Sequence, residues 1–139
     1  MADKLPQEMA SDSWAGEMGE KWNTYVDQFE GMIAPVGNAA IEYAGFQAGE
    51  RVIDIGCGGG ATTFQIAGHV SDGHVTGLDL SQTLVDTANE RLSKSGHGNV
   101  DFICADAATS SQAEYDVLFS RFGVMFFEDP YGAFQNMKT

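Results

Sequence analysis

Cysteine is scarce in this chain, which has 139 residues and only two cysteines, Cys57 and Cys104. Cys57 lies in a glycine-rich stretch and Cys104 in an apolar run, and they lack the spacing of metal ligands. Two cysteines also do not suggest the disulfide framework of a small secreted domain. The sequence therefore predicts no metal site and favours a reduced, cytoplasmic setting.

Positive charge is scarce as well, with 7 lysines and arginines against 20 aspartates and glutamates and a formal net charge of −13. Such an acidic surface repels phosphate backbones and anionic lipid headgroups, which argues against nucleic acid or a membrane as the partner. No apolar run reaches the roughly 20 residues of a membrane span, and the N-terminus lacks the apolar core of a signal peptide. With 43% hydrophobic and 19% charged residues, the composition is typical of one soluble globular domain.

Glycine, by contrast, is abundant and concentrated in one place. Residues 51–61, RVIDIGCGGGA, contain four glycines within five positions, directly after a short apolar segment rich in β-branched residues. Glycine at this density suits neither a helix nor a strand interior, and it allows the backbone to approach a ligand closely. A helix beginning after the turn aims its free N–H groups at the same place. The segment predicts a strand, a ligand-binding turn and a helix; a tight turn without a ligand is the alternative.

Two classes of ligand fit this turn, and the charge of Asp54 separates them. Gly56-x-Gly58-x-x-Ala61 fits the dinucleotide-binding pattern, whereas Asp54-x-Gly56-x-Gly58-x-Gly60 places a carboxylate beside the ligand. Two like charges about 4 Å apart cost on the order of 4 kcal/mol at an effective dielectric constant of about 20, which disfavours a diphosphate here. A ligand with an ammonium and a sulfonium group is attracted instead. NAD(P) remains the alternative ligand.

Three more polar residues follow predicted strands. Asp79 ends a strand at residues 74–80, beside the carboxyl end of the first strand, where it can accept both hydroxyls of a ribose; a charge at the start of the next helix is the alternative. Asp106 ends the third strand, and a turn-starting aspartate is the alternative there. Ser120 ends the fourth strand, which would flank the point where strand order reverses and ligands bind.

Hydroxyl residues are predicted at the beginnings of two helices. Ser81 is interpreted as the N-cap of a helix that reaches about Ser95. Thr62 and Thr63 lie in the first turn of the helix after the glycines, where capping is the favoured role and ligand contact the alternative.

The first part of the chain predicts helices. Trp22 and Tyr25 belong to an apolar series at helical spacing, and Pro35 is placed to open a second helix. We divide the chain into an N-terminal helical segment, residues 1–34, and an α/β domain, residues 35–139.

Taken together, these features closely resemble the class I S-adenosylmethionine-dependent methyltransferases. Four motifs match in order and spacing, at residues 54–60, Asp79, Asp106 and residues 115–120. The resemblance implies an α/β fold with a Rossmann-like, doubly wound parallel sheet, and S-adenosylmethionine as the cofactor. It also implies that residues 1–34 form a lid, with Trp22 and Tyr25 as the candidate lid residues.

The resemblance assigns roles around the adenine of the cofactor. It implies that Leu80 packs on the adenine, that Asp106 accepts a hydrogen bond from the exocyclic amine, and that the N–H of Ala107 meets a ring nitrogen. The predicted cofactor-binding residues are Asp54, Gly56, Gly58, Gly60, Asp79, Leu80, Asp106, Ala107 and Ser120.

The family sheet has seven strands in the order 3-2-1-4-5-7-6, and this sequence supplies four, in the order 3-2-1-4. We therefore expect a fragment, a naturally short form or part of an obligate assembly, with an exposed sheet edge through which copies pair. The implied activity is methyl transfer to a small-molecule acceptor. A nicotinamide-dependent oxidoreductase and a non-catalytic nucleoside-binding subunit are the alternatives. The sequence identifies neither the acceptor nor a general base.

Overall fold

A computed structural model of the protein describes residues 14–110, 114–125 and 127–138. Its strands form one sheet in the order β3-β2-β1-β4, and all three neighbouring pairs are parallel. The strands are β1 (Arg51–Ile55), β2 (His74–Asp79), β3 (Val100–Cys104) and β4 (Val117–Ser120). The predicted α/β class and strand order are confirmed. The first 13 residues of the predicted segment 1–34 lie outside the described ranges.

Five helices accompany the sheet in the described ranges: α1 (Glu17–Thr24), α2 (Val26–Ala44), α3 (Ala61–His69), α4 (Gln82–Ser95) and α5 (Pro130–Lys138). Side chains of β1 alternate between the two faces of the sheet. Val52 packs in a cluster with Ile41 of α2 and Ile66 of α3. Ile53 and Ile55 belong to a second cluster on the other face, against which residues of the C-terminal part pack. Helices thus cover both faces, as buried parallel strands require.

The helix beginning predicted at Pro35 is wrong, because α2 runs from Val26 to Ala44 with Pro35 inside it. A proline in a helix interior leaves the carbonyl four residues earlier, here that of Gly31, without its usual donor. Both Gly31 and Pro35 are exposed, so water can satisfy that carbonyl. The break between helices lies instead at Tyr25, whose backbone leaves the helical region (φ −114°, ψ 26°).

The helix beginning predicted at Ser81 is confirmed. The Ser81 hydroxyl accepts a hydrogen bond from the N–H of Leu84 at 3.3 Å, directly before α4. Within the described ranges, no helix combines the length and the apolar character that crossing a membrane requires.

Candidate functional site

A cavity of about 320 Å³ opens beyond the carboxyl ends of the strands. We call it the site cavity. Its walls come from the glycine turn, the residues that follow β2, β3 and β4, and the N-terminal helices. Of the predicted cofactor-binding residues, the following line it: Gly56, Gly58, Asp79, Leu80, Asp106 and Ala107. Asp54, Gly60 and Ser120 do not, and ligand contact by any of the nine stays a prediction.

The glycine turn is held by backbone hydrogen bonds and by close backbone packing. The N–H groups of Gly56 and Cys57 donate to the carbonyl of Leu78, at 2.7 and 3.1 Å, which ties the turn to β2. Gly56 has φ +69°, a left-handed conformation that favours glycine. A Cβ at Gly56 would lie 2.5 Å from the Cα of Gly123. The turn therefore touches the loop after β4 with no side chain between them.

Asp79 connects the glycine turn to the beginning of α4. Its Oδ2 accepts from the N–H of Gly58 and its Oδ1 from the N–H of Ser81, each at 2.9 Å. Burial raises the pKa of Asp79, and these hydrogen bonds oppose the rise. The contact with Ser81 matches the alternative interpretation of Asp79. Each carboxylate oxygen can still accept a second hydrogen bond, so these contacts leave room for ribose hydroxyls.

Asp54 is more deeply buried than the sequence suggested, with 1% of its surface exposed. Its Oδ2 accepts from the hydroxyls of Thr62 at 2.7 Å and Thr63 at 2.8 Å. Oδ1 has no hydrogen-bond partner among the described residues. Burial raises the pKa of Asp54 from 3.8 to about 6. Asp54 thus lies beneath the turn as a carboxylate with one unsatisfied oxygen, and it does not line the cavity.

The capping role favoured for Thr62 and Thr63 is wrong. Helix α3 follows Gly60 without a side-chain capping bond, and both hydroxyls point to Asp54 instead. Burying a carboxylate costs several kcal/mol unless hydrogen-bond donors satisfy it. A helix cap contributes only about 1 kcal/mol, so donating to Asp54 stabilises the protein more than capping α3 would.

Arg121 follows β4 and lines the site cavity. Its positive charge lowers the pKa of Asp54 and so opposes the effect of burial. Burial lowers the pKa of Arg121 itself, while the charges of Asp54 and Glu30 raise it. A Cβ at Gly37 would lie 2.8 Å from Nη1 of Arg121, so the guanidinium packs on the backbone of α2. The structure thus places Arg121 near Asp54 and Glu30.

Ser120 and Gly60 act through the backbone around the cavity. The Ser120 hydroxyl donates to the carbonyl of Ile55 at 2.9 Å and accepts from the N–H of Gly123 at 3.0 Å. Both hydrogen bonds are made to the protein's own backbone, so the Ser120 side chain holds the loop after β4 in place. Gly60 has φ +91°, and a Cβ there would lie 2.8 Å from the ring of Phe102.

Asp106 makes a local turn contact and lines the site cavity, and its contact with adenine stays a prediction. Its Oδ1 accepts from the N–H of Ala108 at 2.9 Å, which is the local bond of a turn-starting aspartate. The residue also lines the site cavity, together with Ala107. Predicted strand β3 therefore ends earlier, at Cys104, because Asp106 already belongs to the turn.

The N-terminal helices close one side of the cavity. Trp14, Trp22, Glu30 and Ile33 line it, whereas Tyr25 is 53% exposed and does not. Of the two candidate lid residues, Trp22 lines the cavity and Tyr25 does not; the lid role itself stays a prediction. Sequence reasoning did not assign Glu30 or Ile33 to the site, because they lie on α2 and the break at Tyr25 separates them from Trp22 on α1.

The indoles are packed against aromatic neighbours. Trp22 stacks on Phe29 of α2 with ring centroids 4.6 Å apart, and it meets the edge of Trp14 at 5.8 Å. The packing joins α1 to α2 above the cavity. No group of three or more potential metal ligands occurs in the part of the chain that the structure describes.

A methyltransferase domain model matches residues 52–139 of the chain. The chain is 32% identical to aklanonic acid methyltransferase of Streptomyces sp. (strain C5) over 104 residues, which cover 73% of this chain and 47% of that protein. It is 34% identical to ubiquinone biosynthesis O-methyltransferase of Aromatoleum aromaticum, with coverages of 73% and 44%. The chain thus spans less than half the length of these relatives.

Solved structures agree with these sequence relatives. Coclaurine N-methyltransferase bound to N-methylheliamine and S-adenosylhomocysteine superimposes with a TM-score of 0.57 and 30% identity, over 63% of this chain and 26% of that one. The family match begins at the second residue of β1 and covers the glycine turn and the other three described strands. The chain therefore belongs to the class I S-adenosylmethionine-dependent methyltransferase family.

Proposed function

We propose that the chain binds S-adenosylmethionine in the site cavity and forms the cofactor-binding part of an enzyme that methylates a small molecule. The observation that carries the proposal is the buried carboxylate of Asp54 under the glycine turn, with Oδ1 lacking a partner among the described residues. A cationic ligand at the turn lowers the energy of that charge, and a diphosphate raises it.

The polar groups of the cavity match the two ends of this cofactor. Asp106 and Leu80 line the end assigned to adenine, and Asp79 lies between that end and the glycine turn. Glu30 and Arg121 carry opposite charges at the glycine-turn end. A zwitterionic amino-acid group needs one partner of each sign, which this pair offers.

Small-molecule methyl transfer is supported by what the chain resembles. Two of the proteins named above are called an O- and an N-methyltransferase, and the latter, the coclaurine enzyme, is bound to N-methylheliamine and S-adenosylhomocysteine. S-adenosylmethionine, when bound in the site cavity, would supply a methyl group whose carbon bonds to the acceptor atom while its bond to sulfur breaks, leaving neutral S-adenosylhomocysteine. The rate of this transfer depends on holding the methyl carbon and the acceptor atom about 3 Å apart and aligned.

The first test is calorimetric titration of the full chain with S-adenosylhomocysteine and with NAD. We expect the homocysteine compound to bind more tightly. Asp79→Asn should weaken its binding by about 10- to 100-fold, because a charge-assisted hydrogen bond is worth about 1.5–3 kcal/mol. The exposed Asp72→Asn is the matched control and should bind like the wild type. Tighter binding of NAD would overturn the proposal.

The surroundings of the site are also part of the proposal. The net charge of −13 supports a cytoplasmic protein whose acceptor is neither nucleic acid nor a membrane lipid surface. We interpret residues 1–34 as a lid and residues 35–139 as the cofactor domain; this division is functional, because α2 crosses the boundary. The open side of β4 supports pairing with another chain.

A further inference from the structure

Arg91, on α4, connects three separate parts of the chain. Its Nη1 donates to both carboxylate oxygens of Glu30, at 3.0 and 3.1 Å, and to the carbonyl of Gly59 at 2.9 Å. Its Nη2 donates to Oδ1 of Asp27 at 2.9 Å. One guanidinium therefore joins α4, α2 and the glycine turn.

The contact with Glu30 is the more sheltered of the two ion pairs. The side chains of Arg91 and Glu30 are 29% and 13% exposed, whereas that of Asp27 is 90% exposed. Exposed pairs contribute little, and partly buried hydrogen-bonded pairs contribute more. The link from Arg91 to α2 therefore depends mainly on Glu30.

Glycine at position 59 makes the arrangement possible. A Cβ there would lie 2.8 Å from Nη1 of Arg91 and 2.8 Å from Oε1 of Glu30. The missing side chain leaves the space in which the guanidinium and the carboxylate meet above the turn. Gly59 and Glu30 both line the site cavity, and Arg91 does not.

The link extends from α2 to the aromatic wall of the cavity. Glu30 follows Phe29, and Phe29 stacks on Trp22 of α1. Fixing Glu30 to the glycine turn thus fixes the stack that places Trp22 at the cavity. Without the guanidinium, two carboxylates of α2 would face the turn with no positive partner from α4.

We propose that Arg91 is a positioning residue that fastens the N-terminal helices to the glycine turn and thereby holds Glu30 and Trp22 at the site cavity. Arg91 acts through these groups and touches no ligand. Its effect on cofactor affinity rests on the proposed function; its effect on the helices does not.

The test compares Arg91→Gln, Arg91→Lys and Glu30→Gln in the full chain. Lys94→Gln is the matched control, because Lys94 lies on the same helix and forms an exposed ion pair with Glu90 at 3.4 Å. Amide hydrogen exchange is measured without ligand, and binding of S-adenosylhomocysteine is measured by calorimetry. The Lys variant keeps the charge but offers a single nitrogen in place of the planar fork.

We expect Arg91→Gln and Glu30→Gln to accelerate exchange in α1, α2 and the glycine turn by about tenfold while β1–β3 stay unchanged. In Arg91→Gln, affinity for S-adenosylhomocysteine should fall by about tenfold, with partial recovery in Arg91→Lys. Glu30→Gln is compared by exchange alone, because Glu30 is itself a proposed cofactor partner. Lys94→Gln should match the wild type in both measurements. If Arg91→Gln does not fold, the same comparison of Arg91→Lys and Glu30→Gln with the control decides.

Wild-type exchange in α1 and α2 of the variants would overturn the proposal. Faster exchange spread evenly over the sheet would also overturn it, because Arg91 would then support only global stability. Faster local exchange with unchanged affinity would overturn the link to the cavity. Failure of the wild type to bind S-adenosylhomocysteine would instead overturn the proposed function, and the exchange result would still decide the role of Arg91.

Discussion

Asp54 shows how one side chain can connect stability with ligand charge. It is almost completely buried, two hydroxyls bond one of its oxygens, and Arg121 is the positive charge that acts on it. Burial outweighs these favourable contacts, so the pKa rises to about 6. Near neutral pH the ligand-free protein therefore holds an ionised carboxylate that burial makes less stable than it would be in water.

Asp54→Asn should make the ligand-free protein more stable at neutral pH. The folded pKa of about 6 exceeds the ordinary 3.8, so the folded state binds the proton more tightly than the unfolded state. The stability contributed by Asp54 is then fully present below pH 4 and is lost as pH rises through 6. The variant keeps a neutral group there and should gain about 1–3 kcal/mol over the wild type by pH 7.

Thermal unfolding of both proteins between pH 4 and 8 measures this difference. Their midpoints should be similar at pH 4 and separate progressively up to pH 7. The exposed Asp72→Asn should show no such separation. A constant difference between Asp54→Asn and the wild type across the whole range would contradict the account of Asp54.

Cofactor affinity should depend on pH through the same residue. A cationic ligand prefers ionised Asp54, which is mostly protonated at pH 5 and mostly ionised at pH 7. Affinity for S-adenosylmethionine should therefore increase by up to about tenfold between these values. Titrations at several pH values measure it, and Asp54→Asn should flatten the profile. An equally steep profile in the variant would assign the dependence to another group.

At the level of elements, the glycine turn and the loop after β4 are built around a direct backbone contact. A Cβ at Gly123 would lie 2.2 Å from the carbonyl oxygen of Ile55, which is backbone and cannot move aside cheaply. Gly123→Ala should therefore destabilise the protein by about 1–3 kcal/mol.

Gly68→Ala is the control with the opposite sign. Gly68 lies in α3, and a Cβ there would meet nothing within 4 Å. Alanine is the better helix former by up to about 1 kcal/mol, so this variant should be more stable. Chemical denaturation of both variants measures the pair. Equal effects would show that the contact between the turn and the loop is not tight.

Local rules predicted the element ends that depend on local contacts. Ser81 caps α4 through Leu84, three residues away. The same rules gave the wrong helix start at Pro35. A proline inside a helix destabilises it less when the carbonyl that loses its hydrogen-bond donor faces water. The prediction for Thr62 was wrong for another reason. Its hydroxyl donates to the carboxylate of Asp54 on β1 and does not accept from a local N–H group.

The site was predictable where it follows from the turn and the strand ends. Gly56, Gly58, Asp79 and Asp106 are placed by strand order alone, and they meet at the cavity. The contact between Arg91 and Glu30 joins residues 61 positions apart. Sequence periodicity and motifs cannot predict this contact, because it depends on how α2 packs against α4.

For the whole molecule, the open side of β4 is the feature with the largest consequence. The described sheet ends at β4, which pairs only with β1. We expect the chain to self-associate as its concentration rises, because an unpaired strand offers free backbone groups to a second chain. Sedimentation velocity over a range of concentrations measures this.

The variant Tyr43→Lys tests whether self-association occurs through the sheet edge at β4 or through the surface of α2. Tyr43 is 94% exposed, and Met32 on the same helix is 74% exposed, so this helix offers an apolar surface as well. Association through β4 should persist in Tyr43→Lys. Loss of association in that variant would show that the chains associate through α2. A single monomeric boundary for the wild type would contradict the prediction of self-association.

The bare backbone contact between Gly56 and Gly123 sets a practical rule for redesign. Randomising position 123 would deform the glycine turn along with the loop after β4. Most members of such a library would therefore be destabilised. Phe122 and Met125 flank that glycine, line the same cavity and are about half exposed, at 47% and 57%. Under the proposed function, directed evolution of acceptor preference should begin at these two positions and keep the glycine between them invariant.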